Sequence, residues 1–435
     1  MTSNNNSGGG GGNSPFAWLG LLKWSLAYSD GTTSSSSGVQ PMSKEDVAFL
    51  EKVMSEGIID EGQRMKSILT DLTDTFEMML DIGSSGSSGV ASGGNLSVGA
   101  GSGDERQTEE EKRKELEEDD VIELLQELRD IVEQIDYARA FMAMGGLPFL
   151  LGIATYHSDD VTSMETTAGG NKRTIPKSIR KAALGVLSTM CQNNPPVQLS
   201  LLEQGHIPQL VQLFYDYSPG HHGGDGDDSM REKIVQALSA SIREHSMAEH
   251  IFCMNEQARE MLKLGLGMMM QQNLPKPSVP LRKRSLFFLR ALLTSDNATH
   301  ERHFQFQDVI SYICTHGIND QWEDNAEMRE MSLAMLSRLL QYKLTPQPNN
   351  PSTEETASNV ILKHKNGIGS IGVKRIQAIR SLNEGSEERE LATLELEAWE
   401  TLMVALAEAE TGNENSNDGE DNAAPPSAIC GVNVS

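Results

Sequence analysis

One helical register returns four times along this chain, and it limits the fold more than anything else in the sequence. Ile179-Arg180-Lys181, Met230-Arg231-Glu232, Leu281-Arg282-Lys283 and Met328-Arg329-Glu330 each open with an apolar residue, an arginine and a second charge. Five residues after the apolar one stand Leu184, Val235, Leu286 and Leu333; eight after it stand Leu187, Leu238, Leu289 and Leu336. Extended backwards, the register fits Asp120 as a degenerate start, with Leu125 and Leu128 at the same offsets. Around them Val121, Ile122, Leu124, Ile131, Val132 and Ile135 keep a helical period. A helix pair of this kind cannot cover its own apolar stripe, so neighbouring units must bury each other's faces.

The five starts lie 59, 51, 51 and 47 residues apart. Setting aside the polar stretches 158–174 and 219–227 reduces the first two spacings to 42. A helical unit of about forty residues is the armadillo or HEAT period. Gly146-Leu147-Pro148 and His206-Ile207-Pro208 each precede an apolar helix within a unit, as proline at a helix start permits. The expected fold is therefore all-α: an armadillo/HEAT-like right-handed helical solenoid with disordered tails and inserted loops.

Composition shifts divide the chain. Residues 1–40 read as a flexible N-terminal segment holding a short amphipathic motif at 16–30, with Trp18 and Trp24 and too few residues for a core. Residues 41–82 read as an N-terminal helical pair, opened by Ser43 as a cap with Asp46 three residues on. A Gly/Ser linker follows at 83–103. The repeat domain is expected over 104–344, a flexible insertion over 345–375, capping helices over 376–410 and an acidic disordered tail over 411–435. The cap is polarised: 359–380 carries Lys363, Lys365, Lys374, Arg375 and Arg380 with no acid, whereas 384–421 has thirteen acids and one base. These tracts can pair with each other or stand as separate solvated ends of the stack.

Lys and Arg number 36 against 62 Asp and Glu, a net charge of −26. A field of that sign opposes attraction to phosphate backbones and anionic lipid, so neither a nucleic acid nor a membrane is expected as partner. No run of eighteen apolar residues occurs, and the chain opens on Asn, Ser and Gly, not on the basic and apolar regions of a secretory signal. The expected setting is cytoplasmic. Cys191, Cys253, Cys314 and Cys430 are far apart, which suggests neither a zinc site nor a disulfide framework.

Patterns that suggest chemistry fail on geometry. His245 and His250 flank Glu249, but five positions of helix separate them by about 500°, so they cannot form the paired ligands of a metalloprotease helix. His300 and His303 share a face without a third ligand, and His221-His222 lies among acids in a glycine-rich stretch that is not preorganised. Gly367-Ile368-Gly369-Ser370-Ile371-Gly372 is a literal GxGxxG, which a dinucleotide site needs inside a βαβ unit. The surrounding chain supplies helices, so a flexible insertion is preferred over a dinucleotide turn or a helix-hairpin-helix contact with DNA. No nucleophile sits in a distinctive signature. No catalytic residue, metal or cofactor is expected, and the chain reads as an interaction protein.

Pro15-Phe-Ala-Trp-Leu-Gly-Leu-Leu-Lys-Trp-Ser-Leu-Ala-Tyr-Ser-Asp-Gly31 resembles the N-terminal signature of the armadillo-type nucleotide exchange factors of 70-kDa heat-shock chaperones, the Fes/HspBP family. Pro41-Met42-Ser43 leading into Phe49-Leu50-Glu51-Lys52-Val53-Met54 is similar to its animal members, as is Gln63-Arg64-Met65-Lys66-Ser67-Ile68-Leu69. Cys191-Gln192-Asn193-Asn194 resembles the family's turn at the end of a repeat helix. The resemblance implies a monomeric cytosolic co-chaperone that grips the chaperone's nucleotide-binding domain and promotes ADP release. It also implies that the N-terminal segment, through Leu21, Leu22, Trp24 and Leu26, competes for the chaperone's peptide groove. Helix phase, with Leu210/Val211 aligned to Met261/Leu262 and Val309/Ile310, leaves Gln209, Gln212, Asp216, Glu260, Lys263, Asp308 and Ser311 away from the apolar stripe. These seven are the expected chaperone-contact residues on the concave face. The alternative is a generic armadillo scaffold or cargo adaptor; an importin-like ladder of Trp and Asn along the third helices is missing, since the tryptophans are Trp18, Trp24, Trp322 and Trp399.

Overall fold

The computed structural model describes residues 61–80, 116–156, 175–220, 226–268, 275–342 and 356–417. The chain divides into two compact units between Ser67 and Ile68. Helix α1 (Glu61–Leu80) opens in the first of them. Its residues Met65, Ile68, Leu72 and Phe76 are buried at spacings of three and four, the mark of a single covered face. Within the second unit Phe76 meets Phe149 edge-on, with 5.9 Å between ring centroids.

The second unit repeats one pattern: a long helix, a short helix, and a third helix. It runs through α2 (Glu118–Ile131), α3 (Ile135–Ala143) and α4 (Gly146–Thr155), then α5 (Lys177–Cys191), α6 (Pro195–Glu203) and α7 (His206–Asp216). Next come α8 (Asp228–Ile242), α9 (Ser246–Met254) and α10 (Glu256–Leu266), followed by α11 (Val279–Leu293), α12 (His300–Gln305) and α13 (Gln307–Tyr312), which passes into a π turn at Ile313–Gly317. The last set is α14 (Ala326–Gln341), α15 (Ala357–Lys363) and α16 (Lys365–Arg380), and the described chain ends with α17 (Glu387–Leu391) and α18 (Thr393–Asn417). Three helices per unit is the armadillo arrangement. No strand occurs among the described residues.

The sequence register maps onto this pattern. Asp120, Ile179, Met230, Leu281 and Met328 are each the third residue of a long helix. The leucines and valine at offsets five and eight from the last four of these starts are at most 2% exposed. They lie where successive long helices meet: α2, α5, α8, α11 and α14 stack in order, and α18 takes the next place on α14. Removing that much apolar surface from water is worth about 1.5–3 kcal/mol per large side chain.

The arginine of each motif is also buried. Arg180, Arg231, Arg282 and Arg329 are between 3 and 8% exposed, and each guanidinium fills the seam between its long helix and a neighbouring part of the chain. Arg180 donates from Nε to the Ala154 carbonyl at 3.1 Å and from Nη1 to the Tyr217 hydroxyl at 2.7 Å. Arg231 pairs with Asp228 and lies over the Phe214 ring, 5.4 Å from its centroid. Arg282 donates to the Pro277 carbonyl at 3.1 Å and pairs with Glu323. Arg329 donates to both oxygens of Glu395, at 2.9 and 2.7 Å, and to the Glu323 carbonyl at 2.7 Å.

Turns between helices use the backbone that left-handed residues permit. Gly145 and Gly205, at φ +85 and +69, turn the chain into α4 and α7. Cys191-Gln192-Asn193-Asn194 does end a long helix: Asn193 sits at φ +51, and buried Asn194 starts α6 and accepts from Arg139 Nε at 3.2 Å. In the following unit Glu244 adopts the equivalent conformation at φ +64. Gln198 crosses to that unit, donating to the carbonyls of Ala240 and Arg243 at 2.9 and 3.1 Å.

The C-terminal part differs from the expectation of a flexible insertion over 345–375. Residues 357–363 and 365–380 are helical, and Gly367, Gly369 and Gly372 lie inside α16 instead of forming a phosphate-binding turn. The cause is packing. A Cβ on Gly372 would come within 2.9 Å of the Trp399 ring, so glycine lets α16 close on α18. The dinucleotide and helix-hairpin-helix readings both required a loop at this point. The two oppositely charged tracts pair with each other, through Arg375 and Glu395 at 2.8 Å, Arg380 and Glu400 at 2.7 Å, and Lys365 and Glu410. Burial pushes the Glu395 carboxyl upward, but hydrogen bonds from Arg329 and Arg375 outweigh it and hold the group down at about 2.

Candidate interaction face

The third helices place the residues selected by helix phase. Leu210, Val211, Met261, Leu262, Val309 and Ile310 are all buried, so the apolar stripe of α7, α10 and α13 is the one expected. Opposite it, Gln209, Gln212 and Asp308 are exposed, while Asp216, Glu260, Lys263 and Ser311 are half-buried. Helices α4, α7 and α10 stack side by side, which aligns their polar faces into one row.

Three of the seven residues are tied to one another by charge, and a fourth by a hydrogen bond across elements. Lys263 Nζ donates to Glu260 Oε1 and to Asp308 Oδ2, each at 2.6 Å, and the second contact joins α10 to α13. Burial works against the Lys263 ammonium, yet its bonds to Asp308 and Glu260 raise the group above its ordinary value, so it stays charged. Ser311 Oγ lies 2.6 Å from His364 Nε2, which brings the residue between α15 and α16 to the same row. Gln212 donates to Asp216 Oδ1 at 2.9 Å, and Gln209 donates to the Gln204 carbonyl at 3.0 Å; these two hold positions within α7 and at its entry. The row thus joins into one group at α10 and α13 and remains local at α7.

Tyr215 and His364 belong to this face and were not selected from the sequence. Tyr215 donates its hydroxyl to the Gln257 carbonyl at 2.9 Å, bridging α7 to α10. Burial, together with the Glu260 charge, pushes its phenol up to about 12. Its place three residues after Gln212 was a usable signal, because that spacing puts both on one side of the helix. His364 gave no such signal, since 53 residues separate it from Ser311. Leu21, Leu22, Trp24 and Leu26 lie outside the described residues.

Other reactive side chains serve the fold. His245 caps α9 by accepting from the Ala248 amide at 3.2 Å, and buried His303 lies 2.9 Å from the Leu293 carbonyl. Cys191, Cys253 and Cys314 are buried free thiols, and burial raises all three. Among the described residues no group of three or more His, Cys, Asp or Glu is placed to hold a metal ion. No single described helix is long and apolar enough to cross a membrane. What the third-helix face offers chemically is a set of fixed carboxylates, amides and one ammonium, suited to polar docking.

No family model matches the chain, and no curated protein does. Among solved structures it is similar to a designed armadillo repeat protein in complex with the peptide (KR)4, at 12% identity over 67% of this chain and 94% of that one, with a TM-score of 0.40. A second designed armadillo repeat protein is 14% identical over 65% of this chain and 94% of that one, with a TM-score of 0.37. SYS-1 is 14% identical over 71% of this chain and 49% of its own, with a TM-score of 0.41. At such values the likeness adds nothing about function, and the armadillo fold rests on the three-helix units themselves.

Proposed function

We propose that this protein is a co-chaperone that binds the nucleotide-binding domain of a 70-kDa heat-shock chaperone and promotes ADP release. The observation that carries the reading is the third-helix face, where Glu260, Lys263, Asp308 and Ser311 are held in one row across adjoining units. The four sequence stretches resembling the Fes/HspBP exchange factors support the choice of partner. No covalent chemistry, metal or cofactor is assigned. The factor has to prefer the open, nucleotide-poor form of the chaperone over the closed form, and that difference in affinity weakens ADP binding by the same factor. In this reading the protein acts as a monomer in the cytosol, and its 16–30 segment aids release of bound peptide.

The test is dissociation of labelled ADP from a cytosolic 70-kDa chaperone, followed by stopped flow with and without this protein. Acceleration is expected, and it should weaken when Lys263→Glu breaks the shared ion pair. An unchanged rate rejects the proposal. A pull-down recovering varied partners and no chaperone would instead favour the general armadillo scaffold.

A further inference from the structure

The long-helix row carries a second polar surface with the opposite character. Helices α5 and α11 contain three and four Lys or Arg residues and no acid, in a chain whose net charge is −26. Lys233 and Arg284 each stand two residues after a buried motif arginine, so they occupy the same register position on the stacked helices α8 and α11. Lys181 follows Arg180 on α5, and Arg129 reaches from α2 to donate to Thr189 Oγ1 at 3.1 Å. Burial and then the nearby Arg129, Arg284 and Lys181 charges press the Lys233 ammonium below its ordinary value, opposed by Glu232.

The local acids do not neutralise this cluster. Among the described residues Arg284 and Lys181 have only loose partners, Glu232 and Asp227, each at 3.7 Å. Among the described residues no ion pair engages Lys233 or Arg129; Lys233 donates to the neutral Gln236 at 3.1 Å. Four cations crowded together and half removed from water repel one another, and an added anion relieves that repulsion.

We propose that Arg129, Lys181, Lys233 and Arg284 form a docking strip for an acidic linear segment of a partner protein. Four successive helices at about 8–10 Å between axes give the strip a length of about 25–30 Å. An extended peptide of about eight or nine residues covers that span at about 3.3 Å per residue. A single phosphate covers one helix, and a nucleic-acid duplex carries far more charge than four cations can meet, leaving most of it against the acidic remainder of the chain. Helix α14, next in the stack after α11, carries Glu327 and Glu330, so the run of basic positions ends at α11. The strip lies on different helices from the face assigned to the chaperone, so the proposal does not rest on that assignment.

The test uses the full chain and a fluorescently labelled decaglutamate peptide, read by anisotropy, with a decalysine peptide as the opposite-charge control. Decaglutamate should bind saturably, and the affinity should fall steeply with salt. The double variant Lys233→Gln/Arg284→Gln should weaken binding about tenfold through loss of two charge-assisted contacts. Lys374→Gln/Arg380→Gln, which makes the same change in net charge on α16, should leave binding within about twofold. Circular dichroism confirms that both variants are folded. Equal binding of the two peptides, or equal losses in the two variants, overturns the proposal. Displacement by inorganic phosphate beyond that of chloride at matched ionic strength overturns the assignment to a peptide.

Discussion

Arg231 and Arg329 hold the same register position in units two apart, and they are satisfied in different ways. Arg231 relies on Asp228 from its own helix and on the face of Phe214, and its Nε finds no hydrogen-bond partner. Arg180, in the unit before, likewise leaves one nitrogen without a partner. Arg329 is gripped at both ends of its fork by Glu395, from a helix outside the five repeated units. A repeat can copy its buried arginine, but what pairs with it is drawn from whatever lies nearby. The C-terminal end has turned that shared position into a clamp that fastens α18 to the stack.

The largest effect should follow from breaking the clamp. Glu395→Gln leaves Arg329 with a neutral partner in a buried site and should cost about 3–5 kcal/mol, read as a lowered urea midpoint. Arg231→Met should cost much less, because it removes an arginine already short of one bond. Equal losses would erase the distinction. The clamp also predicts a pH window: the folded Glu395 carboxyl sits at about 2, below its unfolded value of about 4.3. Its contribution is therefore complete above the unfolded value and disappears as pH falls through 2.

Closer contact between α16 and α18 is the next feature to disturb. Gly372→Leu forces side-chain atoms into the Trp399 ring and should cost about 3 kcal/mol. The same change at exposed Gly367, where a Cβ meets nothing within 4 Å, should be neutral or slightly stabilising through helix propensity. A similar loss at both would show that the ring contact is not what requires glycine.

In the central units the corresponding sensitivity is to protonation of a histidine. His206 is fully buried, with Nε2 2.8 Å from Ser241 Oγ. Burial lowers it to about 4, against a weaker opposing hydrogen bond with Leu201. The unfolded chain therefore binds the proton first, and stability declines from about pH 6.5 down through 4, by about 2 kcal/mol at pH 5. Urea unfolding at pH 7 and 5 should show that slope flattened in His206→Gln. The smallest effect is expected at the exposed Arg380–Glu400 pair, where Arg380→Gln should change stability by less than about 1 kcal/mol.

Much of the fold was legible because burial is local and periodic. The register placed Asp120, Ile179, Met230, Leu281 and Met328 at one helical position, and the apolar residues at offsets five and eight all proved buried. The fate of the arginines was not legible, because Glu323 and Glu395 belong to no repeat and carry no periodic mark. The glycine run at 367–372 misled for a related reason: its composition suggests a turn, and only the Trp399 ring, 27 residues beyond Gly372, shows why a helix is built of it. For the candidate face, phase was enough to separate Gln209, Glu260 and Asp308 from the apolar stripe. It could not reveal that Lys263 joins two helices or that His364 arrives from outside.

The entries into α5, α8 and α11 are the longest connections of their units, running over 156–176, 217–227 and 267–278, while the other links within those units take one to six residues. All three meet a long helix at its N-terminal end, so in these units length variation is concentrated on a single margin of the stack. A reporter or binding module spliced into any of them would emerge along that margin without disturbing helix-to-helix contacts. Several such grafts would stand in file at intervals set by the helices beneath, making the protein a ready ruler for spacing attached cargo.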